Sequence, residues 1–191
     1  MAAGPWGGSV ARLLGHRVAL IAQRHQACLV HLPRQLAYTM PSVMDYTPGS
    51  GRPGLYFRHE TPDKLVAGLH GEEPGEPASD PDSYVRKADE RFMEELARQL
   101  TYRLPALNEA RLGGGWAGLY PSNASGMPFV GPLADDASVV AVAGAGSGIQ
   151  LSPVLGELVA DWVLLGAPRA VEGAHELLPS SGEEEAPAPA G

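Results

Sequence analysis

The chain has 191 residues, 44% of them hydrophobic, enough to bury one sizeable core, and a formal charge of -8. That charge, with no concentrated Lys/Arg face, argues against a nucleic-acid surface, because phosphate binding needs one. A single cysteine, Cys28, cannot form an internal disulfide and favours a reducing compartment.

Along the chain, the stretch before Asp45 has no acidic residue but contains Arg12, Arg17, Arg24 and Arg34, a bias found in mitochondrial transit peptides. A cytoplasmic location is expected, with the mitochondrion as the alternative. No apolar run approaches the ~20 residues of a membrane span, so none is expected. Cys28 falls in the strand-like apolar run 27–32, which favours a buried structural thiol over a nucleophile. His25, His59 and His70 lack the spacing of metal ligands or of a nucleophile pair, and no metal site is expected. Thr61-Pro62-Asp63 reads as a turn. Residues 71–79, rich in Glu, Pro and Gly, read as an exposed loop with Glu72, Glu73 and Glu76 solvated. Asp80-Pro81 supplies a cap and a first-turn proline for a helix to about Leu104. Val85, Ala88, Phe92, Leu96 and Leu100 form its core stripe, and Pro105 closes it. Beyond Gly166 the acidic and Ala/Pro-rich sequence cannot bury enough surface to order.

The most informative stretch is Val139-Val140-Ala141-Val142-Ala143, which runs into Gly144-Ala145-Gly146-Ser147-Gly148 and then a helical pattern through Trp162. It reads as strand, glycine loop and helix, with Ser152 able to cap and Pro153 suited to a first turn. Two readings stay open: the glycines allow close strand–helix packing, or the helix start presents its free N–H groups to an anionic ligand. Ile149 stands where a dinucleotide fingerprint needs its third glycine. Gly148-Ile149-Gln150 stands where a P-loop needs Gly-Lys-Ser/Thr.

Upstream lie Gly115-Trp116-Ala117-Gly118-Leu119-Tyr120-Pro121 and Ser125-Gly126-Met127-Pro128-Phe129-Val130-Gly131-Pro132. Together with the glycine loop they resemble the C-terminal signature of the FAD-dependent oxidoreductases of the D-amino-acid oxidase, glycine oxidase and sarcosine oxidase/dehydrogenase type. Two departures are visible: Ser125 stands for the family's usual Asp, and the loop is shortened to Gly146-Ser147-Gly148. Arg24-His25-Gln26 with the run after it resembles the family's first substrate-domain strand. Residues 54–60 and 64–69 resemble its hairpin, and Ala2-Ala3-Gly4-Pro5-Trp6 resembles its Ala-Gly-Ala-Trp turn near the FAD phosphates.

The resemblance implies a partial FAD-dependent oxidoreductase fold of α+β or α/β class, with a mixed substrate-domain sheet, packed helices and a C-terminal strand-loop-helix. The N-terminal Rossmann βαβ unit is expected to be missing. Residues 1–17 would be a remnant of the FAD domain, 18–132 the substrate-binding domain, 133–166 the strand-loop-helix, and 167–191 a disordered tail. The chain would then be a truncated reading frame or depend on a second chain for the Rossmann half; the alternative is a non-catalytic binding or assembly module.

The implied chemistry is oxidation of a small amine or amino acid. FAD would be non-covalent, because Gly118 and Leu119 stand where some branches attach flavin through cysteine. Ala3, Gly4, Trp6, Gly144, Gly146, Ser147, Gly148, Ile149 and Gln150 would bind it. Gln150 stands where many members carry a lysine or another polar residue, and its neutral amide would support a flavin anion less than an ammonium. Arg58 would clamp a substrate carboxylate beside Tyr56, or else pair with Glu60 at the surface. Trp116 and Tyr120 would wall the substrate, or else pack in the core. No catalytic residue is assigned.

Overall fold

A computed structural model describes residues 1–46, 49, 51–70, 76–78, 80–133 and 138–179. The chain divides into two compact units. The terminal unit comprises Met1–Gln23, Pro77–Asp82 and Leu119–Gly191, and the sheet unit comprises Arg24–Glu76 and Ser83–Gly118. In order, the elements are a 3-10 turn Gly4–Trp6, α1 (Gly7–Leu13), β1 (Ile21–His31), β2 (Val43–Asp45), β3 (Gly54–Thr61), β4 (Lys64–His70) and β5 (Glu76–Ala78). There follow α2 (Glu90–Arg103), β6 (Arg111–Ser122), β7 (Phe129–Pro132), β8 (Val140–Ala143) and α3 (Gly148–Leu165). The unit boundary falls within β1 and β6.

The larger sheet runs β2-β3-β4-β1-β5, with β6 also paired to β1. The β3/β4 hairpin turns at Thr61–Lys64 as expected, where the Thr61 hydroxyl donates to Asp63 at 2.7 Å. Alternation along the strands gives the sheet one buried face: Cys28, Val30, Leu55, Phe57, Leu65 and Ala67 pack against Leu96 and Leu100 of α2. Cys28 is fully buried, and burial pushes its thiol pKa up, in keeping with a structural role.

In the terminal unit β7 and β8 pair antiparallel, Phe129 opposite Ala143 and Val130 opposite Val142. Phe129, Ala141 and Ala143 pack with Ala11 of α1, while Val130 packs with Leu155 and Leu158 of α3. Backbone bonds from Met1 to Val140 at 2.5 Å and from Val142 to Met1 at 2.9 Å extend this pairing.

Four local expectations need correction. The helix expected from Asp80 begins at Glu90. Residues before it are drawn onto the edge of β6, where Ala88 N–H donates to Gly115 at 3.2 Å and Ala117 N–H to Arg86 at 2.8 Å. Val85 is accordingly exposed, and Asp80 accepts from the Asp82 amide instead of capping a helix. Ser152 and Pro153 lie inside α3, whose N-cap is Ser147. Pro153 cannot donate to the carbonyl four residues back, and the Ser152 hydroxyl takes over by donating to Ile149 O at 2.9 Å. Of the expected loop 71–79, residues 76–78 form β5, while Glu72 and Glu73 and the Glu76 side chain lie outside the described residues.

The tail is the fourth. Residues 180–191 lie outside the described residues, but 167–179 are organised. Gly166 ends α3 in the left-handed conformation, Asp161 accepts the Arg169 and Ala170 amides at 2.6 and 2.7 Å, and Ala174 is buried in a 3-10 turn Ala174–Leu177. By length and composition α3 is also apolar enough to cross a membrane, which the sequence reading did not anticipate, although it carries Glu157 and Asp161.

Candidate active site

The glycine loop is a tight left-handed turn. Ala145 and Gly146 have φ of 42° and 85°, and the Ser147 amide donates to Gly144 O at 2.8 Å. Two successive positive φ angles closed by that bond have the character of a type I′ turn. Gly144 is required by space: a Cβ there would lie 2.1 Å from Gly148 Cα and 2.6 Å from its nitrogen. Both open readings of the loop therefore have a physical basis, since the same glycines pack strand on helix and shape the helix start. The Ser147 side chain makes no capping hydrogen bond, and Ile149 is 93% exposed with Gln150 exposed beside it. The first-turn N–H groups of α3 thus start the helix without a side-chain cap from Ser147.

Tyr120 belongs to this loop. A Cβ at Gly146 would meet its ring at 3.1 to 3.8 Å, so the ring stands close beside the turn. At 41% exposure Tyr120 is not a core residue. Trp116, at 42%, is not one either; it lies in the sheet unit, where its strand bridges to Lys87. Ser125, which replaces an expected Asp, shapes the turn before β7 by accepting the Met127 amide at 3.2 Å and donating to Asn123 at 3.1 Å.

The N-terminal candidates are in the same unit but not at the same place. Gly4, with φ of 52°, opens the turn that carries Trp6, whose indole donates to Asp82 at 3.0 Å. Ala3 lines a cleft with Val139, Val140, Trp162 and Gly166, beside the C-terminal end of α3, whereas the glycine loop is at its N-terminal end.

In the sheet unit, Tyr56 and Arg58 share the face of β3 opposite its buried Leu55 and Phe57. Tyr56 lies opposite Gly68 and Arg58 opposite Val66; Ala27 and Leu29 of β1 continue those rows. The Tyr56 ring occupies the space beside Gly68, where any Cβ would collide with it. Arg58 is paired with Glu60, both side chains being exposed, and also donates to His59 O at 3.1 Å. Sequence reasoning did not single out Arg24 as a structural tie: it is a nearly buried guanidinium that holds segment 85–89 to β1. Its signals were an arginine inside a strand pattern and its place in Arg24-His25-Gln26, which resembles a family element.

A family model described as FAD-dependent oxidoreductase (DAO) matches residues 1–162. The chain belongs to the DAO family of FAD-dependent oxidoreductases. Among its relatives, the FAD-dependent oxidoreductase domain-containing protein 1 of Xenopus laevis is 26% identical over 181 residues, covering 86% of this chain and 34% of that protein. Glycine oxidase of Bacillus licheniformis is 35% identical over 73 residues, 38% of this chain and 20% of the enzyme. The iminodiacetate oxidase of Chelativorans sp. BNC1 shares the fold with a TM-score of 0.71 at 24% identity, over 93% of this chain and 44% of that one. The chain thus spans about a third of the length of the curated relatives it matches along most of its own length.

Membership in the DAO family implies FAD, and the loop fits one part of it. The uncapped helix start suits the pyrimidine edge, where reduced flavin gathers negative charge. A Cβ at Gly148 would meet no atom within 4 Å, so the approach to those amides is open.

Proposed function

We propose that this chain provides the substrate-facing and flavin-pyrimidine-facing part of an FAD-dependent oxidoreductase that oxidises a small amine or amino acid, with FAD held non-covalently. The observation carrying this reading is the uncapped start of α3 behind a left-handed glycine turn in a chain of this family. Bound FAD supplies the two-electron acceptor for a substrate C–H bond next to nitrogen. The amides of Gly148, Ile149 and Gln150, reinforced by the helix dipole, stabilise negative charge at the pyrimidine edge. The Gln150 side chain adds a neutral amide rather than a cation.

Arg58 holds a substrate carboxylate. Its pairing with Glu60 does not stand in the way, because an exposed ion pair is worth only about 0–1 kcal/mol and a bidentate carboxylate contact exceeds that. In the FAD-loaded enzyme Arg58→Met should raise KM for an amino acid by roughly tenfold or more, and leave an amine lacking the carboxylate nearly unchanged. Equal losses on both substrates would remove Arg58 from the site.

The rest of the flavin-binding fold, with its nucleotide-binding Rossmann unit, comes from a further part of the polypeptide or a second chain. Val163 and Leu164 of α3 are 65% and 78% exposed, and Leu13 of α1 is 87% exposed, which supports a covering partner. The reading is tested by the absorption spectrum and an FAD titration of the chain, alone and co-expressed with a Rossmann unit from a relative. Flavin bands in either preparation support it. A colourless protein in both, with no saturable FAD binding, overturns it.

A further inference from the structure

The turn between β8 and α3 contains a residue that does not favour its own conformation. Ala145 has φ of 42°, in the left-handed region where a Cβ crowds the following carbonyl, and it is followed by Gly146 at 85°. A non-glycine residue held there persists only when its surroundings impose the geometry. Within the turn, one backbone bond, Ser147 N–H to Gly144 O, closes it. The atoms nearest to where a Gly146 Cβ would stand belong to Tyr120, whose Cδ2, Cε2 and Cγ lie 3.1, 3.5 and 3.8 Å from that point. Tyr120 comes from β6, some twenty-five residues earlier, and the Ser122 hydroxyl two residues on is fastened to Gln23 of β1 at 2.6 Å. A ring on an anchored strand thus stands beside the turn, on the side that a Gly146 side chain would occupy.

We infer that Tyr120 is a positioning residue: its ring holds the Gly144–Ser147 turn in the left-handed form and so aims the first-turn amides of α3. The consequence for flavin rests on the function proposed above; the consequence for the turn does not. The ring does the positioning, so Tyr120→Phe preserves it and Tyr120→Ala abolishes it. A glycine at 145 removes the opposing strain and restores the turn when the ring is gone.

The test is amide hydrogen exchange on the flavin-free chain, read at Ser147 and at Leu151, whose amide donates to Ser147 O at 3.1 Å. Tyr120→Ala should speed exchange at these two amides about tenfold, with Tyr120→Phe at the wild-type rate and Tyr120→Ala/Ala145→Gly returned toward it. In the FAD-loaded protein the midpoint potential should fall in Tyr120→Ala and recover in the double variant, because the anionic reduced form loses its donors. Unchanged exchange in Tyr120→Ala overturns the inference, as does a uniform rise across β7, β8 and α3, which would mark ordinary packing. Faster local exchange with an unchanged potential would keep Tyr120 as the organiser of the turn and overturn the placing of these amides at the flavin. A wild-type chain that binds no flavin, yet shows the local exchange pattern, would retain Tyr120 as the organiser of the turn while removing the proposed function.

Discussion

Replacing Gly144 with alanine should cost about 2–3 kcal/mol of stability and abolish flavin binding. The new methyl would stand 2.1 Å from Gly148 Cα, and the obstacle is backbone, so no side-chain rotation relieves it. Either β8 or the start of α3 must move, and β8 and the body of the helix are packed: Ala143 is 5% exposed and Leu155, two turns in, is 6% exposed. Gly148→Ala is the matched comparison. Its methyl meets nothing within 4 Å and alanine suits a helix better, so stability should hold or rise, while FAD affinity falls because the methyl stands at the helix start. Urea denaturation with an FAD titration on each variant separates the two effects. If Gly148→Ala bound FAD as tightly as wild type, the amides beside it would not face the flavin, and the glycines would serve packing alone.

What the sequence disclosed, it disclosed through local pattern. The β-branched run 139–143 ahead of alternate glycines could fold in few other ways, and the strands around Cys28 and the hairpin at Thr61 appear where alternation and turn chemistry put them. The failures are places where distant partners decide. Asp80-Pro81 is a sound helix start by local rules, yet residues 85–88 gain more from hydrogen bonds along β6 and to Arg24 than from a helix of their own. Composition marked everything after Gly166 as tail, but two amides reaching back to Asp161 and one buried alanine suffice to order residues 167–179. At the site, the loop was legible and its support was not. That Tyr120 would stand beside Gly146 depends on where β6 passes, and no spacing in the sequence encodes it. Arg58 illustrates the opposite case, since its partner Glu60 lies two residues away and was visible in the sequence.

Arg24→Met should destabilise the sheet unit by about 3 kcal/mol, more than Asp89→Asn, although the two residues form one ion pair. Arg24 is 7% exposed and its hydrogen bonds include these: Nε donates to Val85 O at 2.9 Å, Nη2 to Lys87 O at 2.8 Å, and the fork grips Asp89 at 2.8 and 3.0 Å. Methionine fills the volume but leaves two carbonyls and a carboxylate without their donor. Asp89 has further ties, exchanging hydrogen bonds with Gln26 in both directions, and its side chain is 45% exposed, so water can replace what it loses. It is also the N-cap of α2, yet its carboxylate makes no capping bond, being committed to Arg24 and Gln26. An asparagine there is free to cap, offsetting part of the lost pair. Acid provides the second readout. The Arg24 hydrogen bonds hold the Asp89 carboxyl below its ordinary range, so the pair contributes fully above about pH 4 and is lost as pH falls through the depressed value. Stability of Arg24→Met, followed by urea denaturation from neutral pH downward, should therefore decline less steeply in that acid window than wild type. Parallel profiles would show that the pair contributes nothing and that Arg24 acts through its carbonyl contacts alone.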